Sequence, residues 1–142
     1  MSDIYKSFGF LTGKVEQLLE ADFAEKLKPY CINARQFAVL IKVKERPNTS
    51  QKEIGEDLRI DRTSMVEHID KLESLQYIQR LKNIKDRRAY CLSLTEKGNE
   101  ILNECWGLLD LSESNVLSVL EDEEKNMFKK HLIKILNRNG EE

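Results

Sequence analysis

Arg62, Thr63, Ser64, Glu67, His68 and Lys71 follow one another at steps that place six polar side chains along one side of a helix. Such a row suits the edges of base pairs. An arginine fork fits the paired acceptors of guanine, a glutamate accepts from cytosine, hydroxyls serve bases or phosphates, and a lysine meets phosphate. Shortly afterwards Arg80, Lys82, Lys85, Arg87 and Arg88 stand against Asp86 alone, a local +4 between Arg80 and Tyr90 and the one concentrated positive patch of the chain. Lys85, Asp86, Arg87 and Arg88 form its tip. Taken singly, these are an ordinary solvated helix face and an ordinary charged loop. Taken together, they describe a surface for a grooved polyanion, with double-stranded DNA as the expected partner.

Both groups need a frame. Asp61 is placed to cap a helix, Ile60 to staple onto Met65, and Val66, Ile69, Leu72 and Leu75 to form the inward stripe. Just upstream, Ser50-Gln51-Lys52-Glu53 is an S-x-x-E capping box opening a short helix with Ile54 and Leu58 inward. Two helices joined by so tight a turn make a helix-turn-helix. After Leu75 the period changes to two. Ile78–Lys82 and Ala89–Leu94 read as strands around the polar loop Asn83 to Arg88, a hairpin with a charged tip.

Outside this centre, Ile4, Phe8, Leu11, Val15 and Leu18 make a heptad seam within a long helix from Ile4 to Leu27. Pro29 ends it. Asn33 with Gln36 caps a second helix carrying Phe37, Leu40, Ile41 and Val43, and Pro47-Asn48-Thr49 is a turn. From Thr95 a long helical region carries apolar residues as far as Leu120, with a bend expected at Gly107, which costs about 1 kcal/mol relative to alanine. The acidic run Glu121 to Glu124 favours the start of a last helix with Phe128, Leu132, Ile135 and Leu136 in its stripe. The fold class is mainly α with a small β-hairpin wing (α+β): a winged helix-turn-helix with long N- and C-terminal dimerisation helices. Apolar seams at both ends of a small chain need partners, and a second copy would cover them.

A chain of 142 residues with 40% hydrophobic content supports one core. The expected layout is a single domain over 1–142, with a DNA-binding lobe at 33–94 and dimerisation helices at 1–30 and 95–142. The net charge of -2 argues against nucleic acid until it is divided. Residues 1–49 carry +2, residues 50–95 carry +1 and residues 96–142 carry -5, so the acidic excess lies in the stretch assigned to dimerisation. Charges interrupt every long apolar stretch, and the N-terminus lacks the order of a secretory signal, so a cytoplasmic protein without membrane partners is expected.

Gln36-Phe37-Ala38-Val39-Leu40, Ser50 to Ile54, Ile60 to Ser64 with Leu72-Glu73, and above all Asp86-Arg87-Arg88-Ala89 through Leu94-Thr95-Glu96-Lys97-Gly98 resemble the multiple-antibiotic-resistance regulator (MarR) family. The resemblance implies a homodimeric winged-helix transcription regulator, a repressor of a nearby operon released by a small-molecule or stress signal. It implies interleaved terminal helices and two recognition helices in successive major grooves of a pseudo-palindromic operator. Arg88 matches the wing arginine that enters the minor groove, Asp86 the acidic residue that shapes the wing tip, and Arg62, Thr63 and Ser64 the start of the recognition helix. Where the family usually has glycine, Gln76 stands, so that turn is either strained or made by another route.

The same resemblance raises the question of a signal. Tyr5, Phe8, Phe37 and Trp106 are candidate lining residues for an effector pocket, although aromatic residues on apolar stripes also serve as core. Cys31, near the start of the second helix, is a redox candidate, and the first helix has no cysteine. His68 and His131 lack companions for a zinc site, and no metal or cofactor is expected. No nucleophile elbow, phosphate loop or metalloprotease motif occurs, so an enzyme is not expected, whereas a dimeric helical adaptor remains the alternative from another class. The operator, the regulated genes and the effector are not written in the chain.

Overall fold

In a computed structural model, which describes residues 2–82 and 90–138, a polar side chain closes the first turn of each long helix. Helix α1 (Phe8–Leu27) opens on Ser7 and α2 (Ala34–Glu45) on a complete Asn33–Gln36 capping box. Helix α3 (Gln51–Leu58) opens on Ser50, α4 (Arg62–Ser74) on Asp61, α5 (Glu96–Val116) on Thr95 and α6 (Asp122–Leu136) on a Glu121–Glu124 box. Each cap satisfies N–H groups that a helix start leaves without partners.

Two boundaries differ from the sequence reading. The N-terminal seam does not form one helix, because Asp3–Lys6 is a separate 3-10 turn and Ser7 is extended, capping α1 afresh. At the other end, α5 runs through Gly107 and stops at Val116, with Leu117 to Leu120 as a turn before α6. The sheet also holds a strand that pattern alone did not show. Strands β1 (Thr49–Ser50), β2 (Ile78–Lys82) and β3 (Tyr90–Leu94) are antiparallel in the order β1-β3-β2, with Ile78 opposite Leu94, Arg80 opposite Leu92 and Thr49 also opposite Leu92. Thr49, read as part of a turn, is therefore paired; two residues are too few for any alternation to be seen.

The core lies between α2, α3, α4 and the sheet. Phe37, Val39, Leu40, Val43, Ile54, Met65, Ile69, Leu72, Ile78 and Leu92 are all buried, each worth about 1.5–3 kcal/mol in apolar transfer. Phe23 and Leu27 of α1, with Leu102 and Cys105 of α5, close it from the terminal side. Helices α1 and α5 are also joined by a polar contact. The wholly buried Ser112 hydroxyl donates to Asp22 Oδ2 at 2.5 Å, and Lys26 Nζ donates to the same oxygen at 3.0 Å. These two donors, the serine first, hold the Asp22 carboxyl below its ordinary value.

The lobe meets the terminal helices at Tyr77. Its ring is buried and its hydroxyl donates to the carbonyl of Tyr30 at 2.9 Å, while its own carbonyl accepts from Thr95 N–H at 3.1 Å. The Thr95 hydroxyl donates to the Gln76 carbonyl at 2.6 Å and accepts from Gly98 N–H at 2.9 Å. Gly98 is required here by space: a Cβ would overlap the Tyr77 carbonyl oxygen and lie 2.8 Å from the carbonyl carbon.

Candidate nucleic-acid interface

Helix α4 is held at both ends by the same backbone device. After α3, Arg59 adopts a left-handed conformation (φ 55°), its N–H donates to the Glu56 carbonyl and the Ile60 N–H donates to that of Gly55. After α4, Gln76 is left-handed (φ 63°), its N–H donates to Glu73 and the Tyr77 N–H donates to Leu72. These are Schellman motifs with a side chain where glycine is easiest, at about 1 kcal/mol each. Gln76 thus takes the strained route of the two its sequence allowed.

Between these ends, Arg62, Thr63, Glu67 and Lys71 are exposed on α4, together with Asp70. Ser64 and His68, placed on the same face by spacing, are half-buried. The Ser64 N–H and hydroxyl both donate to the Asp61 carboxylate, at 2.8 and 2.7 Å, and hold that carboxyl below its ordinary value. His68 turns toward α2. Gln36 Oε1 accepts from the Asn33 N–H at 3.0 Å, so its amide NH2 group faces His68 Nδ1 at 3.3 Å.

Val66 departs from its predicted place in the core: it is 40% exposed, whereas Met65 is 2% and Ile69 fully buried. The inward stripe is Met65, Ile69 and Leu72, with Leu75 packed at its edge. Met65 fits because Gly55 leaves room on α3, where a Cβ would come within 2.8 Å of Met65 Cγ. The signal was present in the sequence, since a staple from Ile60 to Met65 already turns Met65 inward and Val66 outward.

Beside α4 stand the wing strands. Arg80 on β2 was counted with the positive patch, but its guanidinium reaches α4, donating to Asp70 at 2.7 Å and to Glu73 at 2.9 Å. Its charge is spent within the lobe, and it ties wing to helix. The tip residues Lys85, Asp86, Arg87 and Arg88 lie outside the described residues.

The four aromatic candidates for an effector pocket fall into two groups. Phe37 is buried edge-on between Phe23 (5.3 Å between centroids) and Trp106 (5.5 Å), while Tyr5 and Phe8 are exposed on the N-terminal segment. A cavity of about 560 Å³ opens elsewhere, between α1, α5 and α6, lined by Val15, Leu19, Leu117 and Phe128 together with Lys125 and Lys129. Cys31 is exposed in a left-handed turn (φ 62°). Cys91 and Cys105 are buried, and burial pushes the Cys105 thiol up to about 11.

Comparison with known proteins gives this geometry a context. Residues 32–90 match the MarR family. The HTH-type transcriptional regulator BilQ of Clostridium symbiosum is 31% identical over 101 residues, 71% of this chain and 67% of that protein. BilQ of Clostridioides difficile is 24% identical over 128 residues, 90% and 86% of the two chains. Among solved structures, the transcriptional repressor CouR bound to a 23-mer DNA duplex superposes with a TM-score of 0.88 at 26% identity, covering 96% of each chain. No described helix is long and apolar enough to cross a membrane. With a helix-turn-helix carrying a polar outer face, a wing paired beside it and relatives of this kind along most of its length, the chain belongs to the MarR family of transcriptional regulators.

Proposed function

We propose that this regulator is a cytoplasmic homodimer that binds a pseudo-palindromic double-stranded operator and acts as a repressor. The observation that carries this reading is the outward row Arg62, Thr63, Glu67 and Lys71 on a helix whose other side completes the core, with wing strands next to it. In a major groove that row meets base edges, while the tip residues Lys85, Arg87 and Arg88 reach phosphates or the adjacent minor groove, with Asp86 shaping the tip. Ser64 and His68 serve this surface from its edge. Residues 33–94 are the DNA-binding lobe, and 1–30 with 95–142 form the dimer. The exposed apolar faces of α1 and α6 support that division, because a second copy would cover them. CouR, a repressor seen on DNA, supports the mode of action by likeness.

Release of DNA requires a signal that favours a dimer with wrongly spaced recognition helices. A small-molecule effector and oxidation at Cys31 are the two candidates; Tyr5, Phe8, Phe37 and Trp106 would line one effector site once the exposed N-terminal segment is drawn against the Phe37–Trp106 pair. The test of the main reading is gel-shift binding of wild type and Arg88→Ala to DNA upstream of the coding region, across a range of salt. Wild type is expected to bind with a steep loss of affinity as salt rises, and Arg88→Ala to bind about tenfold more weakly. Absence of wild-type binding at low salt would replace the repressor with an adaptor, and equal affinity of the variant would remove Arg88 from the interface.

A further inference from the structure

Val66 is an apolar, β-branched side chain on the outward face of α4, and its helical neighbours there are Arg62 and Thr63 one turn before, Glu67 beside it and Asp70 one turn after. Among the described residues it stands outside the core cluster and outside the apolar residues packed against that cluster, at 40% exposure. Met65, Ile69 and Leu72 fill the core side of the helix completely, at 2% exposure or less, and Ile60 covers the helix start. Val66 is the fifth residue of α4, within the first turn and a half, where a recognition helix comes closest to base edges.

The polar members of this face can each serve a hydrogen-bonding base edge or a phosphate. A valine can do neither. The apolar feature that base pairs present in the major groove is the C5-methyl group of thymine. Val66 is also stiff at χ1, so it offers its two methyl groups at a fixed position, without loss of rotamer freedom on contact. From these observations we infer that Val66 is a specificity-determining residue that packs against a thymine methyl in each half-site. The inference rests on the DNA-binding function proposed above, and it adds a base preference that the charged residues do not supply.

The test uses the full-length protein and a duplex obtained by selecting random DNA on the purified wild type. Each thymine is replaced in turn by uracil, which removes the methyl group and leaves every hydrogen-bonding group in place. At one thymine per half-site, wild type is expected to lose about fourfold in affinity, the equivalent of one methyl left in water. Val66→Ala, a change to a better helix former, is expected to bind the thymine and uracil duplexes equally. The ratio of the two affinities is internal to each protein, so a general weakening of the variant does not mimic the result. If wild type selects a duplex yet no uracil replacement matters, or if Val66→Ala keeps the full discrimination, the assignment of Val66 is overturned while DNA binding stands. If wild type selects no duplex at all, the DNA-binding reading itself fails and Val66 with it.

Discussion

The central lobe and the terminal helices handle apolar surface in opposite ways. Between Ala34 and Leu94, the exposed large apolar residues among those described are Val66, Leu81 and Tyr90, all on the recognition helix or the wing strands. On the terminal segments they run from Ile4, Tyr5, Phe8 and Phe10 through Leu18, Trp106, Leu111 and Val119 to Met127, Leu132, Ile133, Ile135 and Leu136. Helix α6 has no buried residue, and Phe8 is 87% exposed. The lobe's core is closed, with Phe23, Leu27, Leu102 and Cys105 of the terminal helices as its last wall; the outer faces of those helices are not. Apolar faces left open in this way are the ones that a second molecule can cover.

The largest expected effect tests that contrast directly. Ile135→Glu combined with Leu136→Glu places two charges on a face already open to solvent in one chain, so a monomer would tolerate them. If the face is shared between copies, analytical ultracentrifugation should show the wild-type dimer become a monomer, and affinity for a two-half-site operator should drop by roughly 10²–10⁴ as the paired binding is lost. An unchanged dimer would move the interface elsewhere.

Next in size is Gly98→Ala, at the joint between the two regions. The added methyl overlaps backbone, which cannot rotate away, so α5 must shift from Tyr77; a loss of about 3 kcal/mol in urea unfolding is expected. A loss well under about 1 kcal/mol would mean that the joint is loose. The smallest effect concerns the polar tie within the terminal helices. Because the folded Asp22 carboxyl lies below its ordinary value, its stabilisation is complete above the unfolded-state pKa and is lost as pH falls through the folded one. The difference in melting temperature between wild type and Asp22→Asn should therefore be present at neutral pH and shrink between about pH 5 and pH 3. A difference that stays constant over that range would remove the ionised carboxylate from the contact.

Much of the lobe was legible because its signals are local. The caps at Asn33, Ser50 and Asp61, the helix start at Thr95 and the change of period after Leu75 each depend on residues within one turn of one another. Val66 was misplaced because Met65-Ile69-Leu72 and Val66-Ile69-Leu72 both suit a 3.6-residue period; the Ile60–Met65 staple favours the first, and the space that admits Met65 lies beside Gly55 on another helix. Arg80 was misread for a similar reason. Its partners Asp70 and Glu73 lie on a different element, and sequence distance does not show that β2 returns along α4. At the ends, the seam of Ile4, Phe8, Leu11, Val15 and Leu18 was visible, but a stripe carries no mark of whose surface it meets. The close approach at Gly98 was visible only as a glycine within a familiar motif.

The contacts around Tyr77 have a mechanical side. One residue anchors the exit of the recognition helix to the 3-10 turn that follows α1, through the Tyr30 carbonyl, and to the first turn of α5 through Thr95 and Gly98. Tyr30 in turn donates its hydroxyl to Glu104 on α5 at 2.9 Å, closing the loop of contacts. The recognition helix therefore has a fulcrum rather than a flexible tether: it cannot tilt relative to α5 without breaking these bonds. A small change in how α1 and α5 cross would be carried, with the length of α4 as the lever arm, to the residues at its far end.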